Sequence, residues 1–168
     1  MATDLRQAKR PVSLLSGPYG HPFHPVLVPV PIGAWVASFV FDLASRWSGE
    51  PAVFAKGAFW LIGLGLVGAL TAAMLGFLDL FAIPTGTRAF RTGLIHMTLN
   101  LTVVAVYAVS FLLRRGRLGQ PDGVAIGLIA LSAVALALLT ASSWLGGRLA
   151  YRYGVRVADE DTQAEAYR

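Results

Sequence analysis

The stretch Gly57–Leu78, GAFWLIGLGLVGALTAAMLGFL, decides the fold. It carries no charge and is long enough to cross a bilayer, since about 20 apolar residues in a helix span roughly 30 Å of hydrocarbon. Lipid offers no partner for backbone N–H and C=O groups, so a segment of this kind must be a helix. Outward from it lie three more uncharged runs: Thr92–Leu113, Gly123–Gly147 and the stretch between His24 and Asp42. Pro25, Pro29 and Pro31 interrupt the last of these. Proline suits the first turn of a helix or the extended chain before it. The reading therefore starts the first helix near Pro31, ends it near Trp47 and leaves His21–Pro29 extended at the membrane surface.

This predicts an all-α, integral membrane, single-domain protein with spans at about 31–47, 57–82, 92–113 and 123–147. A polar tail, 148–168, is expected at the surface with a mobile end. The links Ser48–Lys56, Ile83–Arg91 and Arg114–Asp122 are short. Short links make neighbouring helices antiparallel, so the expected packing is a four-helix up-down-up-down bundle. Thr85 and Thr87 are capping candidates in the middle link, and Gly116, Gly119 and Pro121 mark the last one. No internal repeat is strong enough to read from the sequence.

Composition agrees. Of 168 residues, 55% are hydrophobic and only 14% charged, against about 25% charged in soluble domains. The mean hydropathy is +0.61. There is no cysteine, which excludes disulfides, thiolate iron–sulfur clusters and c-type haem attachment. The net charge of +5 sits beside apolar spans, where basic residues set topology and touch anionic lipid; no nucleic-acid partner is expected. The first twenty residues lack an apolar core, so the first span is expected to act as its own insertion signal. Nine Lys and Arg residues fall on the side of the N-tail, the 83–91 link and the C-tail, and five on the other. The positive-inside rule then places both termini in the cytoplasm of a bacterial inner membrane. The cluster Arg114, Arg115 and Arg117 runs against that bias.

The expected topology gathers polar residues at one membrane face: His21 and His24 before the first helix, Asp79 at the end of the second, His96 and Asn100 near the start of the third, Thr140, Ser142 and Ser143 near the end of the fourth. His96, Asn100, Tyr107 and Phe111 form one stripe, and polar residues in spans face the bundle interior. Gly68, Ala72 and Gly76 repeat every four residues, admitting either a close helix or a flat cofactor. Asp79 is expected to pair with Arg88, Arg91 or His96, and His96 to bond Asp79, Asn100 or Ser143. Asp42 lies about 27 Å from His24 at 1.5 Å per residue and is assigned to Arg46, one turn on, outside the site.

His21-Pro22-Phe23-His24-Pro25, Phe41-Asp42, Gly76-x-x-Asp79, His96-x-x-x-Asn100 and Trp144-Leu145-Gly146-Gly147 with Tyr151-Arg152 and Gly154-Val155 together resemble the bacterial membrane family known as domain of unknown function 2231. The resemblance runs from about Gly17 to Val157. It implies a histidine at the position of Tyr153 and an acidic residue at that of Arg148, and this chain has neither. The family name supplies no function. Some members are joined to Rieske-type iron–sulfur domains, which implies redox work as an expectation.

Three functions compete. A b-type haem subunit takes His24 and His96 as ligands, with Asn100, Ser143 or Tyr151 tuning the iron and Arg88, Arg91 and Arg148 neutralising the propionates. A metal site takes His21, His24, His96 and Asp79. A non-catalytic accessory or scaffold subunit of a larger membrane complex needs neither. Lipids, an oligomer or complex, and a redox partner such as an iron–sulfur protein are the expected partners. No nucleophile–base pair or phosphate-binding glycine loop marks an enzyme.

Overall fold

A computed structural model describes residues 2–118 and 122–168; Gly119 and Pro121, expected in the last turn, lie outside the described residues. All regular structure among the described residues is helical. The elements are α1 (Ala2–Lys9), α2 (Phe23–Leu27), α3 (Pro29–Trp47), α4 (Pro51–Leu80), α5 (Arg88–Arg115), α6 (Ile126–Gly147) and α7 (Glu160–Ala164). Four helical stretches are long and apolar enough to cross a membrane: Phe23–Trp47, Pro51–Leu80, Arg88–Arg115 and Ile126–Arg152.

The first three spanning helices begin earlier than expected, and the fourth begins three residues later, at Ile126. His24 and Pro25 are helical in α2, and Val28 N to His24 O and Ile32 N to Val28 O carry the path into α3. The expectation of an extended 21–29 segment is corrected. Pro25, Pro29 and Pro31 all sit in first turns, where a missing N–H breaks no intrahelical bond. Pro51 opens α4 in the same way. Thr87 caps α5 as expected, its Oγ1 accepting from Phe90 N at 3.1 Å. One π-helical turn, Arg148–Arg152, extends α6.

The apolar side chains point outward. Val67, Met74, Leu112 and Val134 are more than half exposed, while Ser38, Ser110, Ser132 and Ser142 are fully buried. Small and hydroxyl residues line the helix contacts, as they do where lipid is the solvent. Trp47 and Trp144 stand exposed at helix ends, where amphipathic rings meet headgroups.

Consecutive long helices pack on each other and α3 meets α6, whereas α3 and α5 make no backbone approach. Three side-chain pairs nonetheless meet across the bundle between the first and third spans, each separated by 72 positions: His24 with His96, Trp35 with Tyr107, Asp42 with Arg114. The α3–α4 hairpin and the α5–α6 hairpin are thus two copies of one unit around a pseudo-twofold axis. The sequence hides this because, of these three pairs, only the histidine is the same on both sides.

At mid-bundle the Trp35 and Tyr107 rings stack at 4.3 Å and 12°, within a core of Ile62, Val103, Ala135 and Leu139. Trp35 occupies the space above Gly65, so no side chain fits there.

Candidate functional site

Ala72 and Gly76 of α4, one turn apart, make the seat for His24. The ring rests on Gly76, where a Cβ would stand 2.9 Å from Nδ1, and Nδ1 lies 2.8 Å from Ala72 O. The other copy repeats this with Ser142 and Gly146 of α6. A Cβ on Gly146 would stand 3.1 Å from His96 Cε1, and His96 Nδ1 lies 2.8 Å from Ser142 O. A carbonyl oxygen only accepts, so both Nδ1 atoms carry a proton, and in the neutral ring Nε2 is then the acceptor nitrogen. The two rings face each other across the axis, centroids 6.4 Å apart and planes at 84°. Asn100 Nδ2 lies 3.2 Å from His96 Nε2 and donates to His96 O at 3.0 Å. Ser142 Oγ donates to His96 O at 3.1 Å.

The site differs from expectation in five places. Ser142, not Ser143, faces His96; Ser143 is exposed, because one residue of phase turns a side chain by about 100° on a helix of 3.6 residues per turn. His21 is exposed and apart from the ring pair. Asp79 is not with the histidines, and its partner is neither Arg88, Arg91 nor His96: Arg156 Nε lies 2.8 Å from Asp79 Oδ1. Among the described residues no three His, Asp or Glu side chains gather as a metal cluster. Tyr151 is exposed, and Arg148 is turned to Tyr153, Nη2 donating to its hydroxyl at 3.0 Å. Arg88 and Arg91 are exposed in the first turn of α5. Of the stripe Gly68-Ala72-Gly76, the first faces Val30 and Pro31 and the last His24, so it seats the start of the first span.

The terminal segments cover this end of the bundle. Arg156 is buried although it lies in the tail, and it takes φ +61°, a conformation that costs a residue with a side chain. Its Nη2 donates to Ser16 O and Gly17 O, both at 2.9 Å, and its N–H donates to Ala8 O at 3.0 Å. Lys9 Nζ donates to Ala158 O at 3.1 Å. Asp159 caps α7, and hydrogen bonds from Thr162 and then Tyr19 hold its carboxyl down at about 2. The tail, expected at the surface, is drawn into a clasp as far as Asp159.

At the opposite end, Arg114 Nη1 and Nη2 donate to Asp42 Oδ1 and Oδ2 at 2.6 and 2.8 Å. Ser110 accepts from Arg114 Nε at 3.1 Å, and Ser132 donates to Asp42 Oδ2 at 3.2 Å. The expected Asp42–Arg46 pair is corrected: Arg46 is exposed and Asp42 fully buried. A buried carboxylate needs a partner in the interior, and Arg114 of α5 supplies it.

The family model described as a predicted membrane protein, DUF2231, matches residues 20–159. The chain belongs to this family. The DUF2231 match covers the histidine pair, both buried ion pairs and all four spans, and stops within the clasp at Asp159. Neither the curated proteins nor the solved structures contain a match to the chain.

Proposed function

We propose that this membrane protein is a haem-binding subunit linked to electron transfer, with His24 and His96 as the two axial ligands of a b-type haem. The observation that carries the reading is the imidazole pair on the pseudo-twofold axis, each ring fixed by a carbonyl on Nδ1–H and presenting Nε2. Ligating histidines donate their second N–H to such an acceptor, which fixes tautomer and direction. The two rings, with centroids 6.4 Å apart, are the groups that would hold the iron. The donor count favours haem over a bare ion. Structural zinc takes four protein ligands, whereas haem brings its own equatorial nitrogens and asks the protein for axial ones only. When bound, the haem supplies one-electron chemistry. The chain's own groups then hold the two nitrogens in place, and the Asn100 amide on His96 Nε2 is the group a ligand displaces. Exposed Arg88 and Arg91 suit the haem carboxylates. In this reading the protein sits in a bacterial inner membrane with cytoplasmic termini, within an oligomer or larger complex, and passes electrons to or from a partner such as an iron–sulfur protein.

An accessory or scaffold role is the second reading, and one observation favours it: both Nδ1–H groups and His96 Nε2 already have protein partners. The absorption spectrum of protein purified from haem-replete cells separates the two. A Soret band in near-stoichiometric amount supports the haem subunit. Protein without the band but with bound metal supports a histidine metal site, and protein with neither supports the scaffold.

A further inference from the structure

The two hairpins are not alike at the Asp42 end, and the difference leaves a cavity. In the first copy Ser45 Oγ accepts from Val124 N at 2.9 Å and Gly123 packs against the Ser45 backbone, which closes the start of α6 onto α3. The position equivalent to Ser45, 72 residues on, is Arg117. An arginine cannot cap as that serine does, and a cavity of about 70 Å³ stands between the start of α4, the end of α5 and the start of α6. Lys56, Arg114, Arg117 and Asp122 line it, together with Val124 and Ala125 at the mouth of α6. Arg114 is committed to Asp42. Lys56 and Arg117 have no ion-pair partner among the described residues, so two uncommitted cations face one carboxylate. The positive end of the α6 dipole adds to them.

A second, apolar groove of about 300 Å³ adjoins the cavity, sharing Arg117, Ala125 and Leu128 with it and running along Leu113 and Leu131 between α5 and α6. We propose that the two together bind one anionic phospholipid, its phosphate held by Lys56 and Arg117 and an acyl chain lying in the groove. Lys and Arg side chains hold a phosphate through charge-assisted hydrogen bonds, and a phosphate without a tail would leave the groove unfilled. The proposal also accounts for the basic cluster at Arg114–Arg117 that opposes the charge bias of the chain. It is independent of the histidine pair at the other end.

Native mass spectrometry in mild detergent tests it, with phosphatidylglycerol and phosphatidylcholine of equal chain length as probes. The wild type is expected to hold one phosphatidylglycerol in preference to phosphatidylcholine. Each cation at a membrane surface contributes about fivefold, so Lys56→Gln with Arg117→Gln should weaken phosphatidylglycerol binding about 25-fold and leave phosphatidylcholine unchanged. Leu128→Trp, which fills the groove, should weaken long-chain phosphatidylglycerol and spare a dihexanoyl form. Arg115→Gln, just outside the cavity, should change nothing. The substituted side chains of the double variant are exposed, and its lipid-free melting temperature should match the wild type. Undiminished phosphatidylglycerol binding in that variant overturns the site. An equal loss in Arg115→Gln would show diffuse surface attraction instead. Displacement of the lipid by millimolar inorganic phosphate would show a free-anion site and overturn the lipid claim.

Discussion

Arg114 grips Asp42 through both terminal guanidinium nitrogens, at 2.6 and 2.8 Å, where both side chains are buried. Removing one partner leaves a charge in the bundle, which costs about 3–5 kcal/mol, whereas replacing both by apolar groups is often neutral. Asp42→Leu and Arg114→Leu should each lower the melting temperature in detergent sharply. The double variant should melt closer to the wild type than either single one; simply additive losses would show that the pair does not act as a unit.

Arg156 holds both terminal segments onto Asp79 of α4. Arg156→Ala removes that ion pair and two hydrogen bonds to carbonyls at once. Leaving such buried groups unpaired costs about 1–3 kcal/mol each. Limited proteolysis should cut the variant near the termini well before the wild type, with the four spans intact. Equal cutting rates would mean that the clasp does not depend on Arg156.

Gly76 and Gly146 carry the two imidazoles on their bare Cα atoms. Alanine would set a methyl 2.9 Å from the His24 ring at Gly76 and 3.1 Å from the His96 ring at Gly146, and overpacking costs about 1–3 kcal/mol where the neighbour cannot give way. Gly76→Ala and Gly146→Ala should each lower thermal stability and displace the facing histidine, while Gly33→Ala, with open space around it, should be silent. Similar effects of all three would refute the seat described for the rings.

Four uncharged runs and their short links were legible because lipid leaves a span few choices: it must be long, apolar and helical. Long-range pairing was not. Arg46 stands one turn from Asp42 in sequence and won that assignment, although the buried partner lies 72 positions away. Ser142 and Ser143 differ by one position, and apolar patterning in a helix surrounded by lipid is too weak to fix its phase to one residue. Prolines were read as breaks because a run of three spaced prolines looks the same whether it precedes a helix or opens two in succession. The clasp escaped notice because the tail is polar and its one buried arginine resembles its exposed neighbours. The pseudo-symmetry was hidden by unlike residues, since Trp35 faces a tyrosine and Asp42 an arginine.

The basic bias of nine to five predicts cytoplasmic termini, and single cysteines test it in a chain that has none of its own. Glu50→Cys and Asp122→Cys, both at exposed positions, should react with a membrane-impermeant maleimide added outside intact spheroplasts. Reaction only after permeabilisation would reverse the orientation.

The histidine pair is the centre of the account, and the reduced-minus-oxidised absorption spectrum of wild type, His24→Ala and His96→Ala tests it most directly. Each protein should be expressed with haem supplied and checked for folding by its melting curve. The account predicts a sharp six-coordinate b-type spectrum in the wild type. Each folded variant should lose haem or convert it to a five-coordinate form, because both imidazoles serve as ligands. A folded wild type with no Soret band, or a spectrum left unchanged by both substitutions, would contradict it.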